Sequence, residues 1–410
     1  LSVAEGRLRQ VPRPRGRILE RLAAHVLARV LPNIAGGRLL VETDEGGTVA
    51  FGSGAEVRMR LHSSRLLARL ATRGSVGLGE SFVAGEWDAP DVAEVIGLLL
   101  GNAEAARQRH PRLHRLMTAR PRRARHNGLR RARRNIAYHY DLGNELFSRM
   151  LDASMTYSCA VFDEPGEPLE RAQERKLRMV CDKLALNETD HVLEIGCGWG
   201  SFALLAASRY GARVTALTIS AEQARFARRR VEEAGLGDLV EILECDYRLL
   251  EGQFTKVASI EMLEAIGEDQ WPDYFAAIER LLLPGGRACI QTIVVPDERF
   301  ARYRATPDWI ERYIFPGCLI PSLAALAAAR GASSALVLRS VDEIGPHYAD
   351  TLREWQRRFR VGRDELRTLG YDARFERVWE FYLGSCEACF RTGWLGDAQL
   401  VFEREGSERS

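Results

Sequence analysis

At 410 residues, 46% of them hydrophobic, the chain is longer than one core usually organises and apolar enough to bury two. Its formal net charge is only +2, its eight cysteines (159, 181, 197, 245, 289, 318, 386 and 389) are too scattered for a disulfide framework, and no apolar run reaches the roughly 20 residues of a membrane span. The Arg-rich first residues also lack the apolar core of a signal peptide, so a cytoplasmic protein with peripheral membrane contact at most is expected.

Helical patterns at 18–31, 63–72 and 92–100, mixed with Gly-rich alternating segments such as 37–54, predict a small α+β domain over 1–104. Residues 105–134 read as an Arg-rich linker. Between Glu104 and Asp141 there is no acidic residue, while Arg107, Arg109, Arg112, Arg115, Arg120, Arg122, Arg123, Arg125, Arg130, Arg131, Arg133 and Arg134 all fall inside. Such a run is ordinarily a solvated face, but it suits an anionic partner. Base-stacking aromatics are absent between Arg107 and Arg134, which favours a lipid surface over nucleic acid. From 135 to 410 an α/β rhythm sets in, with strands at 191–195, 213–219, 240–245, 256–260 and 287–295. Helices fall between them at 201–210, 221–234 and 269–282, which implies a parallel sheet covered on both faces. Residues 296–321 break the rhythm with Trp309, Ile310, Tyr313, Ile314 and Phe315, and read as an insertion.

The most informative segment is Val192-Leu193-Glu194-Ile195-Gly196-Cys197-Gly198-Trp199-Gly200-Ser201, an apolar strand entering a helix through a glycine turn. Gly196, Gly198 and Gly200 let backbone approach a ligand, and the helix start offers free N–H donors to a nucleotide-like group. A dinucleotide fold would want a third small residue one place later and an acid at the end of the next strand. That strand instead ends Thr218-Ile219-Ser220 and the acid, Glu194, precedes the turn, which favours the methyltransferase form. Ser220 and Gln223 also read as a capping box, and Asp246 as an acceptor for an adenine amino group or as a turn residue. The Pro284-Gly285-Gly286 sequence is a turn without chemistry.

With these segments in hand, the chain resembles the cyclopropane-fatty-acyl-phospholipid synthases and the related mycolic acid methyltransferases. Tyr138-His139-Tyr140-Asp141-Leu142-Gly143-Asn144, Met155-Thr156-Tyr157-Ser158-Cys159-Ala160, the glycine turn, Thr218-Ile219-Ser220-Ala221-Glu222-Gln223 and Tyr313-Ile314-Phe315-Pro316-Gly317 stand in the family's order. The segment Gly74-Ser75-Val76-Gly77-Leu78-Gly79-Glu80-Ser81-Phe82 is similar to the N-terminal domain of the long, phospholipid-acting members. The resemblance implies a Rossmann-like class I S-adenosylmethionine-dependent methyltransferase with a seven-stranded, mainly parallel sheet, a homodimer, and an acyl-chain lid around 296–340. Glu194, Gly196, Gly198, Thr218, Gln223, Asp246 and Tyr247 would line the cofactor pocket, with Tyr157 and Ser158 over the methionine part. In the family, methyl transfer to a cis alkene of an unsaturated phospholipid creates a carbocation, and a bound bicarbonate removes a proton. Cys159, Glu264, Ile293 and Tyr348 match the positions that hold this anion, with Glu264 the carboxylate and Tyr348 a hydrogen-bond donor. No metal is implied.

Two departures bear on the chemistry. Gln291 stands where cyclopropane synthases carry His, and Ala265 interrupts the usual Glu-His pair; Gln cannot relay a proton near neutral pH. Glu261 adds a carboxylate three residues before Glu264, and if the two converge one should hold its proton more tightly. Bicarbonate would then be held differently, or replaced by a carboxylate as the base. This pattern resembles the branch making 10-methylene, later methyl-branched, chains, ranked slightly ahead of cyclopropane. Reduction of the methylene would need a separate flavin or nicotinamide reductase, because no second glycine fingerprint is present. On this reading Glu264→Gln abolishes turnover, and Gln291→His alters bicarbonate dependence. A lipid-binding homologue that has lost its chemistry, or a methyltransferase for RNA or a small molecule, are the alternatives.

Overall fold

The computed structural model describes residues 34–44, 46–109 and 143–406. The helix expected at 18–31, the arginines at 112–134 and the motif residues at 138–142 lie outside them. The chain divides into two compact units: residues 1–123, 302–314 and 352–394 form the first, and residues 124–301, 315–351 and 395–410 the second. Two segments from the region read as one catalytic domain thus group with the N-terminal residues.

In the first unit, β1 (Gly37–Thr43), β2 (Thr48–Ser53), β3 (Glu56–Leu61) and the short β4 (Trp87–Asp88) form a sheet of order β2-β1-β3-β4. Strands β1 and β3 are parallel and the other pairs antiparallel. Helix α1 (Arg65–Val83) outruns the helix expected at 63–72 by kinking at Gly74, whose φ of +55° suits glycine. Helix α2 (Val92–Arg109) and the helix Ala373–Arg391 pack together, which is why the late segment joins this unit. A Cβ at Gly77 would stand 2.2 Å from the Arg69 carbonyl oxygen, and one at Gly79 2.5 Å from the Trp309 ring. Gly77→Ala is therefore expected to destabilise by about 2–3 kcal/mol, seen as a lower urea midpoint. An unchanged midpoint would show that the two arms of α1 separate freely.

Trp309 and Tyr313, from the segment read as an insertion, are buried in this unit. Trp309 meets Phe381 edge-on with centroids 4.8 Å apart, and the Tyr313 hydroxyl donates to Glu80 Oε1 at 2.5 Å. Glu80 is also paired with Arg73 at 2.9 Å. Core packing accounts for both rings. Arg107, read from sequence as lacking a counter-charge, is paired with Glu104, which Arg302 also reaches.

The second unit opens with α3 (Asn144–Met150) and α4 (Leu169–Leu184). Then β5 (His191–Ile195), α5 (Ser201–Tyr210), β6 (Arg213–Thr218), α6 (Ala221–Glu233), β7 (Val240–Glu244), β8 (Phe254–Ile260), α7 (Trp271–Leu281) and β9 (Leu282–Val294) alternate. Strands β10 (Val337–Glu343) and β11 (Gly396–Glu403) complete a seven-stranded sheet of order β10-β11-β9-β8-β5-β6-β7. The five strands from β9 to β7 are parallel; β11 runs antiparallel to β9, and β10 to β11. The sheet is covered on both faces: on one, Val192, Val214, Ala216, Ala258 and Cys289 pack with Phe202, Ala206 and Ala224 of the helices and with Leu177 and Val180 of α4, and on the other Phe275 of α7 meets Phe402 of β11 with ring centroids 5.5 Å apart. The expected turn at 284–286 lies inside β9. Gly285 at φ +79° and a register shift between Phe254 and Lys256 absorb it as an irregularity in the ladder. Among the described residues no helix is long and apolar enough to cross a membrane.

Candidate active site

In an open parallel sheet the carboxyl ends of the strands form the ligand-binding edge, and there the sequence-selected residues collect. After β5 the chain turns through Gly196 (φ +85°), Gly198 (+53°) and Gly200 (+88°), angles that L side chains resist. The N–H groups of Gly196 and Cys197 donate to the Leu217 carbonyl of β6 at 3.0 and 2.8 Å, and Gly200 caps α5. A Cβ at Gly196 would strike Met262, whereas one at Gly198 would meet nothing within 4 Å. The turn is therefore closed on one side and open on the other.

Glu194 Oε2 and the Tyr247 hydroxyl are among the buried polar atoms near this edge with no partner among the described residues. Burial pushes the Glu194 carboxyl up to about 8. Buried polar groups in proteins are nearly always satisfied, so an unmet acceptor and an unmet hydroxyl beside a glycine turn and helix start fit a ligand rich in hydroxyls and amines, as a nucleoside is. Thr218 and Gln223 engage each other, Thr218 Oγ1 donating to Gln223 Oε1 at 2.8 Å, and Ser220 caps α6 by accepting from the Gln223 N–H. Both oxygens of Asp246 are taken by the Arg248 guanidinium at 2.7–2.8 Å, so the carboxylate proposed for adenine is already paired.

The loop carrying Tyr157, Ser158 and Cys159 is fastened at both ends. Asp152 accepts from the Ser154 and Thr156 N–H groups, and the Ser154 carbonyl accepts from Ser201 Oγ at 2.7 Å and Arg230 at 2.8 Å, which ties the loop to the glycine turn. Tyr157 meets Phe147 edge-on at 5.3 Å, and Phe147 lies 5.0 Å from the Trp199 ring. The Ser158 hydroxyl accepts from Lys176 Nζ at 2.5 Å. At the far end the Ala160 N–H donates to Thr351.

Next to this loop sits a carboxylate that gathers Cys159 and Tyr348, two of the four residues assigned from sequence to a bound anion, while Ile293 and Glu264 bond to each other. Glu261 follows β8 at φ +50°, a left-handed angle that is strained for a side-chain-bearing residue, held by its N–H donating to the Gln291 carbonyl at 2.8 Å. Its Oε1 accepts from the Cys159 N–H at 2.8 Å and from Gln291 Nε2 at 2.9 Å, and its Oε2 from the Tyr348 hydroxyl at 2.6 Å. Three donors thus converge on the two oxygens of one carboxyl group.

Glu264, expected to be the charged member, is the other kind of acid. It is buried, its Oε1 accepts from the Ile293 N–H and from Thr292 Oγ1 at 2.9 Å, and its Oε2 has no partner. Burial, and then the nearby charge of Glu261, push its carboxyl up to about 8, so it keeps its proton at neutral pH. The donor role of Tyr348 is thus directed at Glu261. Cys159 contributes its backbone N–H; burial and the neighbouring Asp397 and Glu261 drive its thiol well above the ordinary value, which removes it as a nucleophile.

Sequence reasoning missed Lys176, Thr351, Gln399 and Asp397. Lys176 is fully buried on α4, faces Glu261, Cys159, Asp397 and Asp152, and has its proton affinity lowered by burial. Gln291 is the hub of an amide chain. Lys183 Nζ donates to Gln399 Oε1 at 2.7 Å, Gln399 Nε2 to Gln291 Oε1 at 3.1 Å, and Gln291 Nε2 to Glu261 and to Asp397 Oδ2 at 3.1 Å. The register places Gln399 opposite Gln291 and Asp397 opposite Ile293, so β11 supplies both. Among the described residues no group of three His, Cys, Asp or Glu is placed to hold a metal.

Residues 127–400 match the family described as mycolic acid cyclopropane synthetase. The chain is 42% identical over 401 residues to the tuberculostearic acid methyltransferase UfaA1 of Mycobacterium tuberculosis, covering 95% of this chain and 91% of that one. It is 36% identical over 356 residues to the cyclopropane-fatty-acyl-phospholipid synthase of Escherichia coli K12, covering 87% and 90%. Among solved structures, mycolic acid cyclopropane synthase CmaA1 complexed with SAH and CTAB matches with a TM-score of 0.61 at 26% identity, over 66% of this chain and 98% of that one.

Proposed function

From the premise that the chain belongs to the mycolic acid cyclopropane synthetase family, and is an S-adenosylmethionine-dependent C-methyltransferase of lipid acyl chains, we propose that it methylates the cis double bond of an unsaturated phospholipid acyl chain and uses Glu261 as the base. The observation that carries this is the convergence of Cys159 N–H, Tyr348 O–H and Gln291 N–H on one internal carboxylate.

S-adenosylmethionine, when bound, supplies an electrophilic methyl group, and addition of that methyl to a carbon–carbon double bond leaves a cation on the acyl chain. The residues present fit this cofactor through the open glycine turn, Glu194 and Tyr247. In the dry site Glu261 stabilises the cation by its charge. A hydride shift within the chain moves the cation to the carbon bearing the new methyl. Glu261 then accepts a proton from that methyl, and the freed C–H pair becomes the second bond of an exocyclic methylene. If the proton leaves before the shift, the same pair closes a cyclopropane. Methylene is the product we propose, since Glu261 and Gln291 depart from the cyclopropane pattern and the 42% identical relative is named for tuberculostearic acid. Conversion to a methyl branch falls to a separate flavin or nicotinamide reductase.

The phospholipid substrate is supported by the name of the Escherichia coli relative. The run of arginines in the sequence would hold the enzyme on the inner face of an anionic membrane at about 1 kcal/mol per residue near the surface.

Purified enzyme, oleoyl phospholipid vesicles and labelled cofactor, followed by mass spectrometry of the acyl chains before and after catalytic hydrogenation, tests the reading. One added CH2 in a chain that still takes up hydrogen is expected. A chain that has gained CH2 but resists hydrogenation would replace methylene by cyclopropane, and an unlabelled lipid would overturn the function. Because Glu261 takes the Cys159 and Tyr348 donors assigned to the anion, turnover is expected to be the same in carbon dioxide-free buffer as with added bicarbonate. A several-fold rise on adding bicarbonate would contradict Glu261 as the base.

A further inference from the structure

Asp397 is a carboxyl group in the middle of a sheet. It lies on β11 opposite Ile293, is fully buried, and has one oxygen without a hydrogen-bond partner among the described residues. Its other oxygen accepts from Gln291 Nε2 at 3.1 Å, and the same NH2 group donates to Glu261 Oε1 at 2.9 Å. One amide therefore bridges two carboxyl groups, which stand side by side. Its orientation is fixed from behind by the Lys183–Gln399 chain, so that both N–H bonds face the acids.

Two adjacent carboxyls in a dry site cannot both ionise; the pair shares a proton. The groups facing them decide where it sits. Lys176 brings one positive charge, the Tyr348 hydroxyl and the Cys159 N–H both point at Glu261, and Glu264 and the Cys159 thiol hold their own protons. Asp152, which also faces Lys176, has the Ser154 and Thr156 N–H groups and the charge of Arg230 for itself, so the lysine is left to balance one anion of the pair, and that anion belongs where the donors are.

We propose that Asp397 is the proton-holding partner of Glu261, a positioning residue that keeps Glu261 ionised and ready to act. The inference rests on Glu261 being the base. Before turnover the pair carries one proton, on Asp397. When the acyl cation loses its proton the C–H bond breaks, its electrons form the new carbon–carbon bond, and the proton adds to the Glu261 carboxylate. The pair then holds two protons and returns one to water before the next cycle. Burial, and then the charge of Glu261, raise the Asp397 carboxyl well above its ordinary value, in keeping with this assignment.

The test is the pH–rate profile of Asp397→Asn, which keeps the size of the side chain but cannot share a proton with Glu261, with adenosylhomocysteine binding measured by calorimetry to confirm the fold. The expected result is unchanged KM, a kcat lowered about 10- to 100-fold, and an acid limb moved to higher pH by about one unit, because the carboxylate of Glu261 has lost the O–H that the protonated Asp397 offers it. Should Asp397→Asn not fold, Asp397→Ser takes the same measurement. A profile and kcat indistinguishable from the unaltered enzyme would overturn the proposal, as would a loss of thermal stability with kcat and both limbs intact. If Glu261→Gln is inactive in the same assay, such a result condemns the partnership alone; if Glu261→Gln is active, the base itself has been misassigned.

Discussion

Glu261→Gln is expected to lower kcat about 10³-fold, the scale of a lost general base, with adenosylhomocysteine affinity within two-fold of the unaltered enzyme. The amide is isosteric, so the left-handed backbone angle and the packing survive. It offers one acceptor where the carboxylate offered two, and its NH2 must face either the Tyr348 hydroxyl or the Cys159 and Gln291 N–H groups. Neither orientation can take a proton from a cation. The measurement is single-turnover labelling of oleoyl lipid beside calorimetric titration of the cofactor product. The companion variant is Glu264→Gln. Glu264 holds its proton to about 8 and uses one oxygen as acceptor, a pattern that glutamine reproduces. Turnover within ten-fold of normal is expected, in contrast to the abolition anticipated from sequence alone. Equal loss in both variants would mean that the two acids work as a unit.

Lys176→Met is expected to destabilise the folded enzyme by about 3–5 kcal/mol near neutral pH, the cost of leaving a buried charge without its counter-ion. The side chain is wholly buried, its ammonium donates to Ser158 Oγ at 2.5 Å, and Glu261 is the strongest of the charges supporting its protonated form. The pH dependence follows from the sign of the change. With Lys176 gone, the remaining carboxylate binds its proton more tightly folded than unfolded, so the variant's deficit should shrink as pH falls toward 5 and widen above it. Differential scanning calorimetry at several pH values measures this. A melting temperature equal to that of the unaltered enzyme at pH 8 would show that water, and not Lys176, balances the site.

Much of the sheet was legible because buried parallel strands are written as short apolar runs. The segments at 191–195 and 201–210 coincide with β5 and α5, and the glycine turn announced itself through residues that alone tolerate its angles. Glu261 and Gln291 were visible as departures from the pattern of the family the chain resembles, an added carboxylate and an amide in place of His. Other features left no local trace. In Leu169–Leu184 the ammonium of Lys176 reads as one more charge on a solvated face, and only the tertiary fold buries it. Asp397 looks like an ordinary residue at the start of a strand. Cys159 was selected as a match to a position that holds the family's anion, and it is its backbone N–H that makes the bond to Glu261, for which residue type carries no signal. That residues 352–394 belong to the first unit was hidden for a related reason: it depends on helix Ala373–Arg391 finding α2 nearly 300 positions away.

The backbone angle of Glu261 has an implication for how such catalysts diversify. A φ of +50° is one that glycine occupies without strain, so the scaffold at this point does not require a side chain. An acid mounted there is tethered to a hinge that would stand equally well bare, with the tyrosine, amide and loop N–H left to greet a diffusible anion. Exchange between a borrowed base and a built-in one would then need a single codon and no rebuilding of the sheet.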